Sequence, residues 1–311
     1  MTTTGTNVEG RAATGAADYG IAPPGYRLPA ATRLGRVRLQ VADLARSLAY
    51  YEQVLGFRVL ERTASVATLG AHGDDAPIVE LHERPGATPV PRRGRLGLYH
   101  FAILLPDRAA LGRFLAHLGR IGAYAGMSDH FVSEAIYLSD PDGLGIEVYA
   151  DRPRGAWEVR GRELHMTTVP LDVPAVVGAG RGEPWTGMPA GTRMGHVHLY
   201  VSDLARGAAF YHEGLGLDKV VWSYPGALFL SAGGYHHHLG TNTWAAGAAP
   251  AGEGDARLLE WTVIVPRAED AEGAARSIRE AGFDATPAGG AWVATDPWGT
   301  RLRVTAGDDA R

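Results

Sequence analysis

Residues 36–56, RVRLQVADLARSLAYYEQVLG, recur as residues 196–216, HVHLYVSDLARGAAFYHEGLG, at a constant offset of 160. The same offset superposes LYHFAILLP (98–106) on LLEWTVIVP (258–266), and DPDG (140–143) has its counterpart in DPWG (296–299), four residues short of it. Two copies with the same apolar periodicity must bury it in the same way, so the chain folds as two related halves. A smaller unit repeats inside each half. Leu34, Val37, Leu39 and Val41 form a β-prone run, and Asp43 stands as a helix N-cap. Leu44, Leu48, Tyr51 and Leu55 follow at helical spacing and Gly56 is placed to stop the helix. Phe57–Leu60, Val66–Leu69 and Ile78–Leu81 then read as strands.

The order of strand, helix and three strands occurs three more times. The second unit opens at Leu98–Leu105, has Asp107 before a helix of Leu111, Phe114, Leu115 and Leu118, and closes at Ile146–Tyr149. The third opens at Val197–Val201 and caps at Asp203, with Leu204, Ala208, Tyr211 and Leu215 on one face; the fourth opens at Trp261–Val265 and closes at Leu302–Val304. The expected fold class is α+β, with four βαβββ modules in tandem pairs forming two cupped-sheet domains. Residues 1–33, rich in Thr, Gly, Ala and Pro, read as a flexible or surface-draped arm. The first two-module domain is expected over 34–153, a loop-like linker with several Pro and Gly over 154–190, and the second domain over 191–308.

Composition narrows the chemistry. The chain has no cysteine, which excludes disulfides, thiolate ligands and a cysteine nucleophile, so any metal must be held by nitrogen and oxygen. A formal net charge of −4 with interspersed signs argues against a nucleic-acid partner. No apolar run approaches the roughly 18 residues of a membrane span, and no secretory signal is visible, so a cytoplasmic location is expected. Exposed strand edges leave room for a homo-oligomer.

At matched strand positions the first copy carries Arg38, His100 and Glu147, and the second carries His198, Glu260 and Arg303. Neither set is a ligand set alone, since arginine cannot bind a cation. Across the copies, His100, Glu147 and His198 supply two histidines and one carboxylate, the ligand set of a non-haem Fe(II) oxygenase. That set requires modules two and three to share a cup. The competing set lies within the second half: His198, one of His236–His238, and Glu260. His196, two residues before His198 and so on the same strand face, is a weaker alternative ligand. His72, His82, His117, His165 and His212 show no partner pattern.

The helix endings YYEQVLG and FYHEGLG, the DPDG turn followed by IEVY, and the stretch YHHHLGTNTW resemble the vicinal oxygen chelate superfamily (glyoxalase, bleomycin resistance and dioxygenase proteins). More narrowly they resemble two-domain ring-cleaving CatE-like catechol 2,3-dioxygenases, the type I extradiol enzymes, over roughly residues 34–305. The resemblance implies Fe(II), with Mn(II) as the other candidate, and a small aromatic diol and O2 as substrates, giving a muconic semialdehyde. It implies that Tyr137, ten residues before Glu147, is an active-site tyrosine, and that His130 binds substrate. It makes His237 the acid–base residue, expected to titrate near neutrality. If the segment is a strand, His236 and His238 face away from His237. His238, Asn242, Trp244 and Trp157 are candidate substrate-binding residues. A lyase or isomerase of the glyoxalase type is the alternative; such enzymes commonly add a fourth carboxylate or glutamine ligand, which the expected cup lacks. A non-catalytic binding protein is the third reading.

Overall fold

In a computed structural model of the chain, residues 19–307 are described; the first part of the expected arm, residues 1–18, and residue 308 lie outside them. Module one comprises β1 (Arg33–Val41), α1 (Leu44–Tyr50), β2 (Arg58–Arg62), β3 (Val66–Gly70) and β4 (Pro77–Glu83). Module two comprises β5 (Gly97–Leu104), α2 (Arg108–Ile121), β6 (Gly126–Asp129), β7 (Ser133–Ser139) and β8 (Gly145–Asp151). A small hairpin, β9 (Val159–Arg160) and β10 (Glu163–Leu164), and the helix α3 (Val173–Ala179) follow. Module three is β11 (Arg193–Tyr200), α4 (Leu204–Ala208), β12 (Asp218–Val221), β13 (Ala227–Ser231) and β14 (Leu239–Asn242). Module four is β15 (Arg257–Val265), α5 (Ala268–Glu280), β16 (Ala285–Ala288), β17 (Ala291–Thr295) and β18 (Arg301–Ala306). None of the described helices is long and apolar enough to cross a membrane.

The modules pair across the two halves. One eight-stranded sheet has the order β12-β13-β14-β11-β5-β8-β7-β6 and so joins modules two and three; the other, β16-β17-β18-β15-β1-β4-β3-β2, joins one and four. The joints are antiparallel, β5 against β11 and β1 against β15. Consecutive modules are tied through helix and turn: Tyr51 Oη donates to Asp140 in the DPDG turn, and Tyr211 Oη donates to Asp296 in DPWG. The neighbouring positions repeat the contact with different chemistry. Asp142 accepts from the Ala42 amide and pairs with Arg46, whereas Trp298 donates its indole N–H to Ser202.

Asp43, Asp107 and Asp203 cap α1, α2 and α4 through side-chain oxygens that accept from the third residue onward. The Tyr51–Leu55 and Ala209–Gly214 segments widen into π turns, so the FYxxxLG pattern marks a bulged helix end. The linker is more ordered than its Pro and Gly content suggests. Asp172 caps α3, which packs so closely on α2 that a Cβ on Gly112 would lie 2.2 Å from the Val176 carbonyl. From Tyr19 onward the N-terminal segment lies along module three: Ile21 bridges Lys219, Arg27 pairs with Asp218, and Leu28 is buried.

Candidate metal centre

Three buried side chains meet on the inner face of the sheet shared by modules two and three. His100 Nε2 lies 3.1 Å from Glu147 Oε2, and His196 Nε2 lies 3.2 Å from the same oxygen. One ligand atom from each falls within 4.8 Å of the others. Each comes from a different strand, β5, β8 and β11, because register sets His196 and Glu147 both opposite Ala102. Ala102 is fully buried and small, which leaves room for the two polar groups to converge above it.

The donor set fits a metal ion. Among the described residues neither ring nitrogen of His100 has a hydrogen-bond partner, although Nε2 is close to Glu147, and His196 Nδ1 is also unpartnered. Leaving buried nitrogens unsatisfied costs about 1–3 kcal/mol each, a cost that coordination removes. Burial alone would raise the Glu147 carboxyl, but His196 and His100 pull it well below the ordinary carboxylate range. Burial lowers His196 to about 4, partly offset by Glu147, so the imidazole is neutral and its lone pair is available.

His198 does not close this cluster. It stands opposite His100 in the β5–β11 pairing, and its Nε2 is 3.0 Å from the Asn242 amide nitrogen. Burial, followed by His100 and His196, pushes its pKa well below the usual value. Among the described residues the side chains that could hold an ion together are thus His100, Glu147 and His196, not the expected His198. A signal for His196 existed in the sequence. His100 and His196 each lie seven residues before their helix caps, Asp107 and Asp203. The 160-residue offset compared module one with three and hid this equivalence between two and three.

The competing set is also not assembled. Glu260 lies in the other sheet, where it pairs with Arg38 and Arg303.

The expected acid–base and substrate residues fall in two groups. Tyr137 and His130 come together beside His100. Tyr137 Oη donates to His130 Nε2 at 2.6 Å, and His130 Nδ1 donates to the Thr167 carbonyl at 2.7 Å, which fixes the tautomer. The Tyr137 and His100 rings are 5.6 Å apart. Burial, reinforced by Glu147, holds the Tyr137 phenol well above its usual pKa.

His237 packs 4.0 Å from the His196 ring and 5.0 Å from Phe229. It does not titrate near neutrality, because burial and then His196 hold it well below the ordinary value. The three-histidine run is not a strand, so strict alternation fails: His236 Nδ1 and His237 Nδ1 are 2.7 Å apart. His236 Nε2 donates to Asp151 at 2.9 Å, so His236 Nδ1 accepts from His237 Nδ1–H. That leaves His237 Nε2 as an acceptor.

Asn242 and Trp244 form one wall with His198: Asn242 Oδ1 accepts from the Trp244 amide, and the Trp244 ring is 5.8 Å from His198. His238 is directed elsewhere, its Nδ1 bonded to Ser231 Oγ and the Ala232 amide. Trp157 stands behind the histidine run, 5.5 Å from His236, with its indole N–H given to the Arg152 carbonyl. Sequence reasoning missed Tyr99, packed between His100 and Tyr200 at 4.6 and 4.8 Å, and Tyr224, which reaches His130 through Thr168.

The glyoxalase/bleomycin resistance protein/dioxygenase superfamily model matches residues 33–148 and 193–304. The chain belongs to that superfamily. It is 45% identical over 271 residues to a protein of Bacillus subtilis (strain 168) named catechol-2,3-dioxygenase, covering 86% of this chain and 94% of that one. Among solved structures it is similar to a putative dioxygenase of Bacillus subtilis, with a TM-score of 0.61 at 15% identity, covering 92% of this chain and 86% of that one. It is also similar to glyoxalase I of Zea mays, with a TM-score of 0.53 at 19% identity, covering 89% and 92%. Both structural likenesses concern the fold.

Proposed function

We propose that the chain is an extradiol dioxygenase that opens a catechol-type ring with O2 to a muconic semialdehyde, using Fe(II) held by His100, Glu147 and His196. The observation that carries this reading is a two-histidine, one-carboxylate cluster whose fourth symmetric position has no side chain. Glu147 is opposite Ala102, two residues beyond His100; two residues beyond His196, His198 is opposite Gly240. A Cβ on Gly240 would lie 2.8 Å from the His198 ring, so no fourth carboxylate fits there. Three protein ligands with open positions suit a metal that binds a diol and O2, and disfavour the four-ligand lyase or isomerase. The 45% identical relative named catechol-2,3-dioxygenase supports the same reading.

A bound Fe(II) would supply Lewis acidity toward the diol and redox chemistry toward O2. The protein's own groups have separable tasks. His237 Nε2, left as an acceptor by the Asp151–His236–His237 chain, takes a proton from an incoming diol hydroxyl and returns it later. Tyr137, locked by His130, presents its phenol oxygen beside His100 and orients the substrate oxygen. Tyr99, Trp244 and Phe229 supply ring faces that an aromatic substrate packs against, with edges and faces disposed around His198. The test is oxygen uptake after anaerobic loading with Fe(II) and addition of catechol. Stoichiometric uptake with a yellow ring-opened product is expected; bound iron without uptake across a panel of catechols favours the lyase or isomerase.

A further inference from the structure

The sheet shared by modules one and four contains the symmetry counterpart of the metal centre, with its chemistry inverted. The positions equivalent to His100, Glu147, His196 and Gly240 are Glu260, Arg303, Arg36 and Glu80, as the strand registers β1–β4 and β15–β18 show. Arg36 pairs with Glu80 at 3.3 Å and Arg303 with Glu260 at 2.7 Å, so this cup is filled by two ion pairs. Arg38 bridges the two carboxylates at 3.2 and 2.9 Å. Two further guanidiniums, Arg257 and Arg301, line the adjoining cavity of about 260 Å³ with Arg38, Glu260, Leu258 and Leu259. Of the charged groups, Arg38, Arg257, Arg301 and Glu260 line the cavity itself, so its wall carries a net positive formal charge.

The unspent donors lie on that wall. Arg257 Nε is buried without a hydrogen-bond partner among the described residues. Among the described residues Arg301 has an ion-pair contact with Glu260 at 3.5 Å and is half-exposed, so donors of its fork face the cavity mouth and solvent. Guanidinium forks match planar carboxylates, and the two leucines offer a short apolar wall beside them. We propose that this second cup binds a small organic carboxylate, its carboxyl group between Arg257 and Arg301 and its apolar body against Leu258 and Leu259. The volume, just below the usual range for ligand pockets, limits the ligand to a small molecule. The site is independent of the metal centre and stands whether or not that centre is catalytic.

Calorimetric titration of the metal-loaded protein with benzoate tests it, with the neutral isostere benzamide and inorganic phosphate as parallel probes. Benzoate is expected to saturate one site per chain while benzamide gives no binding heat. Arg301→Gln and Arg257→Gln should each weaken benzoate by about tenfold or more, the loss expected for a charge-assisted hydrogen-bonded partner. Arg301 is half-exposed, so its variant keeps the fold even if removing Arg257 does not. His196→Ala, in the other cup, should leave benzoate affinity unchanged. Absence of saturation, equal affinity in Arg301→Gln, or loss of binding in His196→Ala overturns the proposal. Phosphate binding as tightly as benzoate overturns the assignment to an organic carboxylate.

Discussion

At the residue scale, His196 and His198 lie two residues apart on one strand face and have different partners. His196→Ala removes a nitrogen aimed at Glu147 Oε2 and should lower iron affinity by more than about 10–100-fold, the cost of losing even an outer partner of a metal ligand. His198→Ala should keep the metal and alter substrate affinity, because His198 touches Asn242, Trp244 and Tyr99. Metal content against KM for catechol distinguishes the two. His237→Phe should keep iron and slow turnover by about 10²–10⁴-fold, the range for loss of a general acid–base; unchanged turnover would remove its role. His100 and Glu147 were singled out because they fall on matched strand positions of the repeat, and Tyr137 and His130 because of the family resemblance; the structure brings all four close together. His198 was chosen over His196 because the repeat matches it with Arg38 at an equivalent strand position, while alternation puts both histidines on one face and cannot say which reaches the carboxylate. Register decides that, and the shifts flanking this stretch of β11 cannot be read from one strand. The neutrality of His237 was likewise hidden, since it follows from burial between modules.

At the element scale, one glycine and one turn carry predictions. A Cβ on Gly195 would lie 1.9 Å from the Tyr149 hydroxyl, which is hydrogen-bonded to Tyr235 at 2.6 Å. Gly195→Ala should therefore destabilise by about 1–3 kcal/mol through overpacking, measured by denaturant unfolding. The Asp140 carboxyl of the DPDG turn is pushed up to about 7, chiefly by burial, although the Leu144 and Asp142 amides donate to it. A folded pKa above the unfolded 3.8 means proton uptake on folding, so this contribution is present below about pH 4 and is lost as pH rises through about 7. Unfolding midpoints at about pH 5 and about pH 8 should differ less in Asp140→Asn than in the parent if this holds. The helices, caps and strands were largely legible, because Asp43, Asp107 and Asp203 precede apolar runs of the right period. The helix α3 was not, because Pro170, Pro174 and the GAGRG stretch at its end outweighed the Asp172 cap signal.

At the scale of the whole molecule, the repeat announces four modules, but which modules share a sheet is decided by long-range pairing of β1 with β15 and of β5 with β11. Each half of the chain therefore contributes one module to each sheet. A fragment ending at residue 153 leaves β1 and β5 as open apolar edges, so it should self-associate alone and form a one-to-one complex when coexpressed with the remainder. A fragment that is monomeric and folded by itself would contradict this. Glu260→Gln should leave iron bound while costing about 1–3 kcal/mol of stability, a range reduced from that of a fully buried pair because Arg38 and Arg303 are partly solvated. The central claim is that one metal sits between modules two and three on His100, Glu147 and His196. Iron per chain after anaerobic loading and desalting, compared among the parent, His196→Ala and His198→Ala, tests it most directly. Iron near one per chain is expected in the parent and in His198→Ala, and little in His196→Ala. Iron retained by His196→Ala but lost from His198→Ala would contradict it.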